Sequence, residues 1–339
     1  MRNFSGDKYG LAEDVLLSVE DLHTYFYQED KVVKAVNGIS FEVKKNTAVG
    51  IVGESGSGKS VTVRSLINLL PGNNGKIEEG TILFRLDNND VVNITDFAPH
   101  GKEMQNIRGN EIAMIFQEPM SAFNTIYTIG MQIGEVFRFH TKMKKKEIEE
   151  EIIKLLDDVN LPNPRERIKN YPFQLSGGMC QRAMIAMALA ARPRLLICDE
   201  PTTALDVTVQ EKILYLIEKI NEKFDASILY ITHDLAVVSE LVDEIVVMYL
   251  GKILEYGKVR DIFNDPLHPY TRLLLKSIPV LGRKQEKLEI IAGSIPGPDV
   301  EISGCVFATR CPEAKDICRQ KEPSTILKAD RKVACWLYT

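Results

Sequence analysis

The stretch GESGSGKS at residues 53–60 fits the pattern G-x-x-x-x-G-K-[ST]. It lies between TAVGIVG (47–53), a short β-branched run, and SVTVRSLINLL (60–70), whose apolar residues recur at helical spacing. In a strand, glycine loop and helix of this order, the glycines let backbone N–H groups turn inward and the helix dipole adds positive potential at the same point. Phosphate is the ligand such a loop suits. Gly53, Ser55, Gly56, Ser57, Gly58, Lys59, Ser60 and Val61 are its candidate contacts, with Lys59 reaching the β- and γ-phosphates and the Ser60 hydroxyl ligating Mg²⁺. A second run, RLLICDE (194–200), ends a buried strand in carboxylates: Asp199 can hold Mg²⁺ through water, and Glu200 is placed to polarise an attacking water. Four cysteines, Cys305, Cys311, Cys318 and Cys335, crowd the last 35 residues, whereas the preceding 304 hold two. Their spacing, C-x₅-C-x₆-C-x₁₆-C, lacks the C-x₂-C knuckles of structural zinc. It suits four thiolates on a [4Fe–4S] cluster, with Zn²⁺ and unligated thiols as the alternatives. Arg310, Arg319 and Lys321 would offset the charge of such a site. Cys180 and Cys198 read as packing residues.

The elements that must position these residues follow from the pattern of apolar positions. LLSVEDLHTYFY (16–27) and AVNGISFEV (35–43) alternate as half-buried strands do and read as an antiparallel pair. From about 105 to 190 the pattern turns mostly helical, with Ile148, Ile152, Leu155, Leu156 and Val159 on one stripe and KMKKKE (142–147) as a solvated helix start. RLLICDE and SILYITHD (227–234) have the look of buried parallel strands, and EIVVMYLGKILEYGKV (244–259) that of a hairpin turning at Gly251. HPYTRLLLKSIP (268–279) is a short helical piece, and AGSIPGPDVEISG reads as a linker to the cysteine tail.

The 339 residues are 45% hydrophobic and 26% charged, enough for more than one domain with a core. A formal net charge of −5 leaves no global positive field to hold a polyanion, so nucleic acid is not an expected partner. The first residues, MRNFSGDKYGLAEDV, mix charges and have no apolar core of a signal peptide, and no stretch approaches a membrane span. The expectation is a chain kept in the cytosol, where clustered cysteines suggest metal or redox chemistry.

LSGGM (175–179), followed by CQRAMIAMALAARPRLLICDEPTTALD (180–206), resembles the signature region of the ATP-binding-cassette (ABC) ATPases, with Met179 where that family has Gln. Ser176, Gly177 and Gly178 at a helix start would form a second anion cradle. In the family the signature completes the site of the opposite subunit, so the resemblance implies a cassette dimer with composite ATP sites. Gln117 in IFQEP resembles the Q-loop glutamine, which contacts Mg²⁺ or water, Asp206 the D-loop aspartate, and His233 the switch histidine that senses the γ-phosphate. Phe26, flanked by Tyr25 and Tyr27, aligns best with the aromatic that stacks on adenine. The implied fold class is α/β, a P-loop NTPase of ABC type with a RecA-like core, an antiparallel β subdomain and a helical subdomain at about 105–190. This nucleotide-binding domain would span 1–262, and 263–339 would be a small C-terminal metal-binding extension carrying the cysteines.

Within the family, QEPMSAFNTIYTIGMQIGE (117–135), HPYTRLLLKSIP and the tail GCVFATRCPEA resemble the ATPase subunits of dipeptide and oligopeptide importers, although Thr125 stands where proline is common. The resemblance implies an ATPase, with Glu200, His233 and Gln117 catalytic, that powers peptide uptake from the cytoplasmic side of the cell membrane. Its implied partners are a second ABC ATPase subunit, two transmembrane permease subunits and, indirectly, an extracytoplasmic peptide-binding protein. An ABC ATPase for another solute such as nickel, or a soluble non-transport ABC ATPase, are the alternatives. Importers with such a tail are associated with an iron–sulfur cluster, which agrees with the reading of the cysteine spacing.

Overall fold

The alternation in LLSVEDLHTYFY produces β1 (Val15–Gln28), which pairs antiparallel with β2 (Lys31–Lys44). In the computed structural model, residues 9–29, 31–203, 207–277, 291–297, 300 and 302–339 are described. The chain divides into two units, one of Met1–Arg85, Val91–Asp96 and Tyr230–Thr339, the other of Leu86–Asp90 and Phe97–Leu229.

In the first unit, the inward residues of the β1–β2 pair, Leu17, Leu22, Val36, Ile39, Phe41 and Val43, are fully buried. The ladder shifts between Val19 and Leu22, where Asp21 adopts a φ of 47°, a bulge that increases local twist. After the wholly buried β3 (Ala48–Val52), β4 (Gly75–Arg85) and β5 (Val91–Asn93) complete a sheet in the order β2-β1-β4-β5. The helix after β3 runs Lys59–Leu66, shorter than the periodic run to residue 70 suggests. Asn68, at φ 47°, stops it: its N–H bonds Ser65 O at 2.9 Å while Leu69 N–H bonds Arg64 O at 2.8 Å. These two bonds are the Schellman pattern that satisfies the last carbonyls of a helix.

The second unit contains β6 (Ile112–Ile115), parallel to β7 (Leu195–Asp199), with Ile112 opposite Leu195 and Ile115 opposite Cys198. The region expected to be mostly helical therefore includes a strand. IAMI is too short for its period to be read, and only its partner 83 residues on makes it a strand. The stripe on the helix Lys145–Asp158 is as the spacing predicts: Ile148, Ile152, Leu155 and Leu156 are buried, as is Val159 just past its end. Lys142 to Lys146 are exposed, and Lys144 N–H is capped by Glu147 Oε2 at 2.6 Å. The helix Gly177–Leu189 is buried nearly all round, and Cys180 and Cys198 are wholly buried packing residues.

β8 (Ser227–Thr232) carries the chain back into the first unit, and β9 (Glu244–Tyr249) then lies parallel to β3, with Val49 opposite Glu244 and Val52 opposite Val247. β9 and β10 (Lys252–Lys258) form the expected hairpin, turning at Leu250 and Gly251 with φ of 43° and 75°, the signs of a type I′ turn. The helix Pro269–Lys276 begins with Pro at its first position, where the missing N–H costs nothing. In the tail, β11 (Thr325–Lys328) and β12 (Arg331–Ala334) make another tight hairpin, with positive φ at Ala329 and Asp330. β12 pairs with β10 through Glu255–Val333 and Tyr256–Lys332, so the first unit's second sheet runs β11-β12-β10-β9-β3.

Leu156→Ala should lower unfolding free energy by about 2–5 kcal/mol through lost burial and a cavity. Lys145→Ala, on the exposed face of the same helix, should change it by less than about 0.5 kcal/mol. Urea denaturation of both variants checks the pair.

Candidate functional site

In the first unit the loop 53–60 leaves β3 and enters the helix Lys59–Leu66, and its path depends on two close backbone approaches. A Cβ at Gly53 would stand 2.2 Å from Met248 O, and one at Gly58 would stand 2.3 Å from Ala35 O. Gly58 is the helix N-cap, at φ 100° and ψ 0°, in the left-handed region that glycine tolerates. Gly251 N–H donates to Ser57 O at 2.9 Å, which ties the loop to the β9–β10 turn. Ser55 and Gly56 face solvent, and a Cβ at Gly56 would meet nothing within 4 Å. Lys59 is buried, and its ammonium donates to Gly53 O at 2.8 Å and Glu54 O at 3.0 Å, spanning the mouth of the loop. Ser57 is 3% exposed, and its Oγ has no hydrogen-bond partner. Ser60 and Val61 are half-buried in the first helical turn. A buried cation, an orphaned hydroxyl and an open glycine backbone at a helix N-terminus fit a phosphate chain and its Mg²⁺.

Phe26 is half-buried on β1, where its ring covers Gly75: a Cβ there would fall 2.7 Å from Phe26 Cε1. The flanking tyrosines are engaged through their hydroxyls, Tyr25 donating to Asn37 Oδ1 at 3.1 Å and Tyr27 to Glu78 Oε1 at 2.7 Å. His233 follows the end of β8 and is exposed, beside a turn in which Asp234 N–H donates to Thr232 Oγ1 at 2.9 Å.

In the second unit Asp199 ends β7 at 2% exposure, and Glu200 follows at a φ of 46°, a left-handed conformation uncommon outside glycine. Such strained positions recur where a side chain must be aimed. Here the Glu200 carboxylate accepts from Gln117 Nε2 at 3.1 Å and from Thr203 Oγ1 at 3.0 Å. Gln117 and Glu200, 83 residues apart in sequence, are thus brought together, while Thr203 was not among the expected residues. Its only sequence signal is a hydroxyl three residues past the carboxylate. Ser176 is the N-cap of the helix Gly177–Leu189, with its Oγ accepting from Met179 N–H at 3.4 Å. Ser176 and Gly177 are exposed and a Cβ at Gly177 would meet nothing within 4 Å, whereas one at Gly178 would press on Val209 at 3.1 Å. Asp206 lies outside the described residues.

The family model described as ABC transporter matches residues 36–203, and that described as oligopeptide/dipeptide transporter, C-terminal region, matches 254–318. The chain is 48% identical to the oligopeptide transport ATP-binding protein AppD of Bacillus subtilis, over 95% of this chain and 97% of that one. It is 46% identical to the dipeptide transport ATP-binding protein DppD of the same organism, over 95% and 94%. Among solved structures, the dimeric bacterial ABC transporter cassette MJ0796 superimposes with a TM-score of 0.63 at 26% identity, covering 72% of this chain and 99% of that one.

The expectation of a [4Fe–4S] cluster on Cys305, Cys311, Cys318 and Cys335 is corrected by these findings. Neither matched family nor these relatives are described as iron–sulfur proteins. Among the described residues, the group of three or more His, Cys, Asp or Glu whose ligand atoms lie within 4.8 Å of one another is Asp21, His23 and Glu79, with no cysteine. Burial pushes Cys305 up to about 11 and raises Cys311 and Cys335, with the neighbouring tail cysteines adding to each shift, and the Cys318 sulfur accepts Lys315 N–H at 3.4 Å. Arg310, expected to balance the charge of a metal site, instead pairs with Glu54 of the phosphate loop.

Gly58→Ala and Gly56→Ala separate the two demands on the loop. Both force a side chain into the left-handed region, at about 1–2 kcal/mol each, but only Gly58→Ala also drives a Cβ into a backbone carbonyl. Thermal unfolding should show the larger loss for Gly58→Ala.

Proposed function

Since the chain belongs to the ABC transporter ATP-binding proteins, in their oligopeptide and dipeptide transport group, we propose that it is the ATP-hydrolysing subunit of a peptide importer. The observation that carries the reading is the union, in one chain, of the cassette with a segment that matches the oligopeptide/dipeptide transporter C-terminal region. Among the described residues no helix is long and apolar enough to cross a membrane. In the importer reading the cargo path belongs to two transmembrane permease subunits, on whose cytoplasmic side this chain sits, fed by an extracytoplasmic peptide-binding protein.

In this reading Lys59, Ser60 and the backbone of 53–60 hold the phosphates of ATP, with Val61 in the following helical turn and Phe26 against the adenine. Ser60, Gln117 and Asp199 would hold Mg²⁺, which would neutralise phosphate charge there. Glu200 takes the proton of the attacking water, and its bonds to Gln117 and Thr203 fix the carboxylate for that task. His233 orients the same water. Ser176 and Gly177 are exposed at the N-terminus of the helix Gly177–Leu189, and a Cβ at Gly177 would meet nothing within 4 Å, which supports their serving, with Gly178, the nucleotide of a second cassette subunit. Asp206 is assigned to communication across that dimer. ATP closes the two cassettes, hydrolysis releases them, and the motion reaches the permeases by way of the Gln117 segment.

Glu200→Gln keeps the size of the side chain and its capacity to accept a hydrogen bond while removing the base. Turnover should fall by a factor on the order of 10² to 10⁴ with ATP affinity unchanged. Steady-state ATPase rates and equilibrium nucleotide binding measure the two sides. Near-normal hydrolysis would remove Glu200 from the mechanism.

A further inference from the structure

The second residue of the phosphate loop is an acid, Glu54, in a place built to receive a polyanion. A carboxylate there would repel the triphosphate unless it were neutralised. The neutralising group comes from 256 residues further on: Arg310 Nη1 donates to Glu54 Oε2 at 2.7 Å and Nη2 to Oε1 at 3.1 Å, a two-pronged fork. The Arg310 side chain is 4% exposed, and its remaining donors are used on Ala292 O at 3.1 Å, Ile291 O at 3.2 Å and Tyr249 Oη at 3.3 Å. Glu54 N–H is held as well, donating to Tyr270 Oη at 3.0 Å.

The platform behind these contacts is rigid. Tyr249, Tyr270 and Phe307 are each at most 1% exposed, with ring centroids 4.9, 5.3 and 5.1 Å apart. Arg310 N–H bonds Phe307 O at 3.0 Å, so the guanidinium is carried on a turn anchored in that aromatic cluster. Arg310 and Tyr270 both lie beyond the residues matched to the cassette.

We propose that Arg310 and Tyr270 are positioning residues for ATP, acting through Glu54: the C-terminal segment neutralises and pins the entrance of the phosphate loop, and so sets nucleotide affinity. The inference rests on the reading of 53–60 as the ATP loop. It makes the loop's charge a joint property of two distant parts of the chain. With Arg310 the Glu54 carboxylate is balanced, and without it a negative charge stands one residue inside the loop. Loss of Tyr270 Oη instead frees the Glu54 backbone with no change of charge.

The test is steady-state ATPase kinetics and ATP-dependent thermal shift on the full chain for wild type, Arg310→Ala, Arg310→Lys, Tyr270→Phe and the double variant Arg310→Ala with Glu54→Gln. Arg310→Ala should raise the KM for ATP on the order of tenfold, with kcat changed by less than about threefold. The double variant should recover most of that loss, because removing the carboxylate removes the repulsion, whereas general damage to the fold would deepen with a second substitution. Tyr270→Phe should raise KM to a smaller extent. An unchanged KM in Arg310→Ala, or a double variant no better than the single one, overturns the proposal while leaving the ATPase assignment standing. Arg310→Lys, which keeps the charge but not the fork, should raise KM less than Arg310→Ala, and a larger rise overturns the proposal; if Arg310→Ala is not recovered folded, Arg310→Gln, which removes the charge, replaces it, and an unchanged KM there overturns the proposal too. A wild type with no ATP-dependent shift would overturn the ATPase reading, and this inference with it.

Discussion

Two carbonyl oxygens, Ala35 O and Met248 O, stand so near the loop 53–60 that no side chain fits between them and Gly58 or Gly53. These approaches hold the loop between β2 and β9, and they set how its N–H groups can turn. Asn37 N–H reaches Gly251 O, and Gly251 N–H reaches Ser57 O, each at 2.9 Å, so the β9–β10 turn bridges β2 to the loop. The parallel ladder between β3 and β9 fixes the strand from which the loop departs. In this part of the molecule the loop is held by backbone atoms of the neighbouring strands and turn.

The carboxylate of Glu200 is managed in a different way. A strand residue would continue the pleat, but the left-handed turn at Glu200 breaks it immediately after the buried Asp199, and two neutral donors then take up the oxygen. Glu54 is the opposite case. Its partner is a guanidinium whose own charged form is stabilised, chiefly by the hydrogen bonds to Glu54, and the acid is thereby committed to structure.

Features fixed by local chemistry were legible in the sequence. The glycine loop, the β1–β2 alternation, the Leu155 and Leu156 stripe and the Gly251 turn each depend on residues within about a dozen positions of one another, and each is found where the spacing puts it. Features fixed by distant partners were not. β6 is four apolar residues among polar ones, and β11 and β12 are short pieces of mixed polarity, with no local pattern to announce the pairing of β12 with β10. The cysteine tail misled for the same reason. Four thiols close in sequence suggested a shared ligand, but the burial of Cys305, Cys318 and Cys335 and the commitment of Arg310 to Glu54 are products of tertiary packing. The Gln117–Glu200 contact was anticipated only as two separate motif positions.

The parallel pairing of β3 with β9 also bears on how the molecule is made. Residues 48–52 cannot find residues 244–249 until the ribosome has added about 190 more, roughly ten to forty seconds at usual synthesis rates. During that interval the whole second unit emerges, a contiguous run apart from five residues, and can fold while β3 still lacks β9 as its neighbour. A β-branched strand with an open edge is a sticky object in a crowded cytosol. The first unit is therefore the part of this chain for which a waiting chaperone, and the pace of translation through residues 86–229, would matter most to yield.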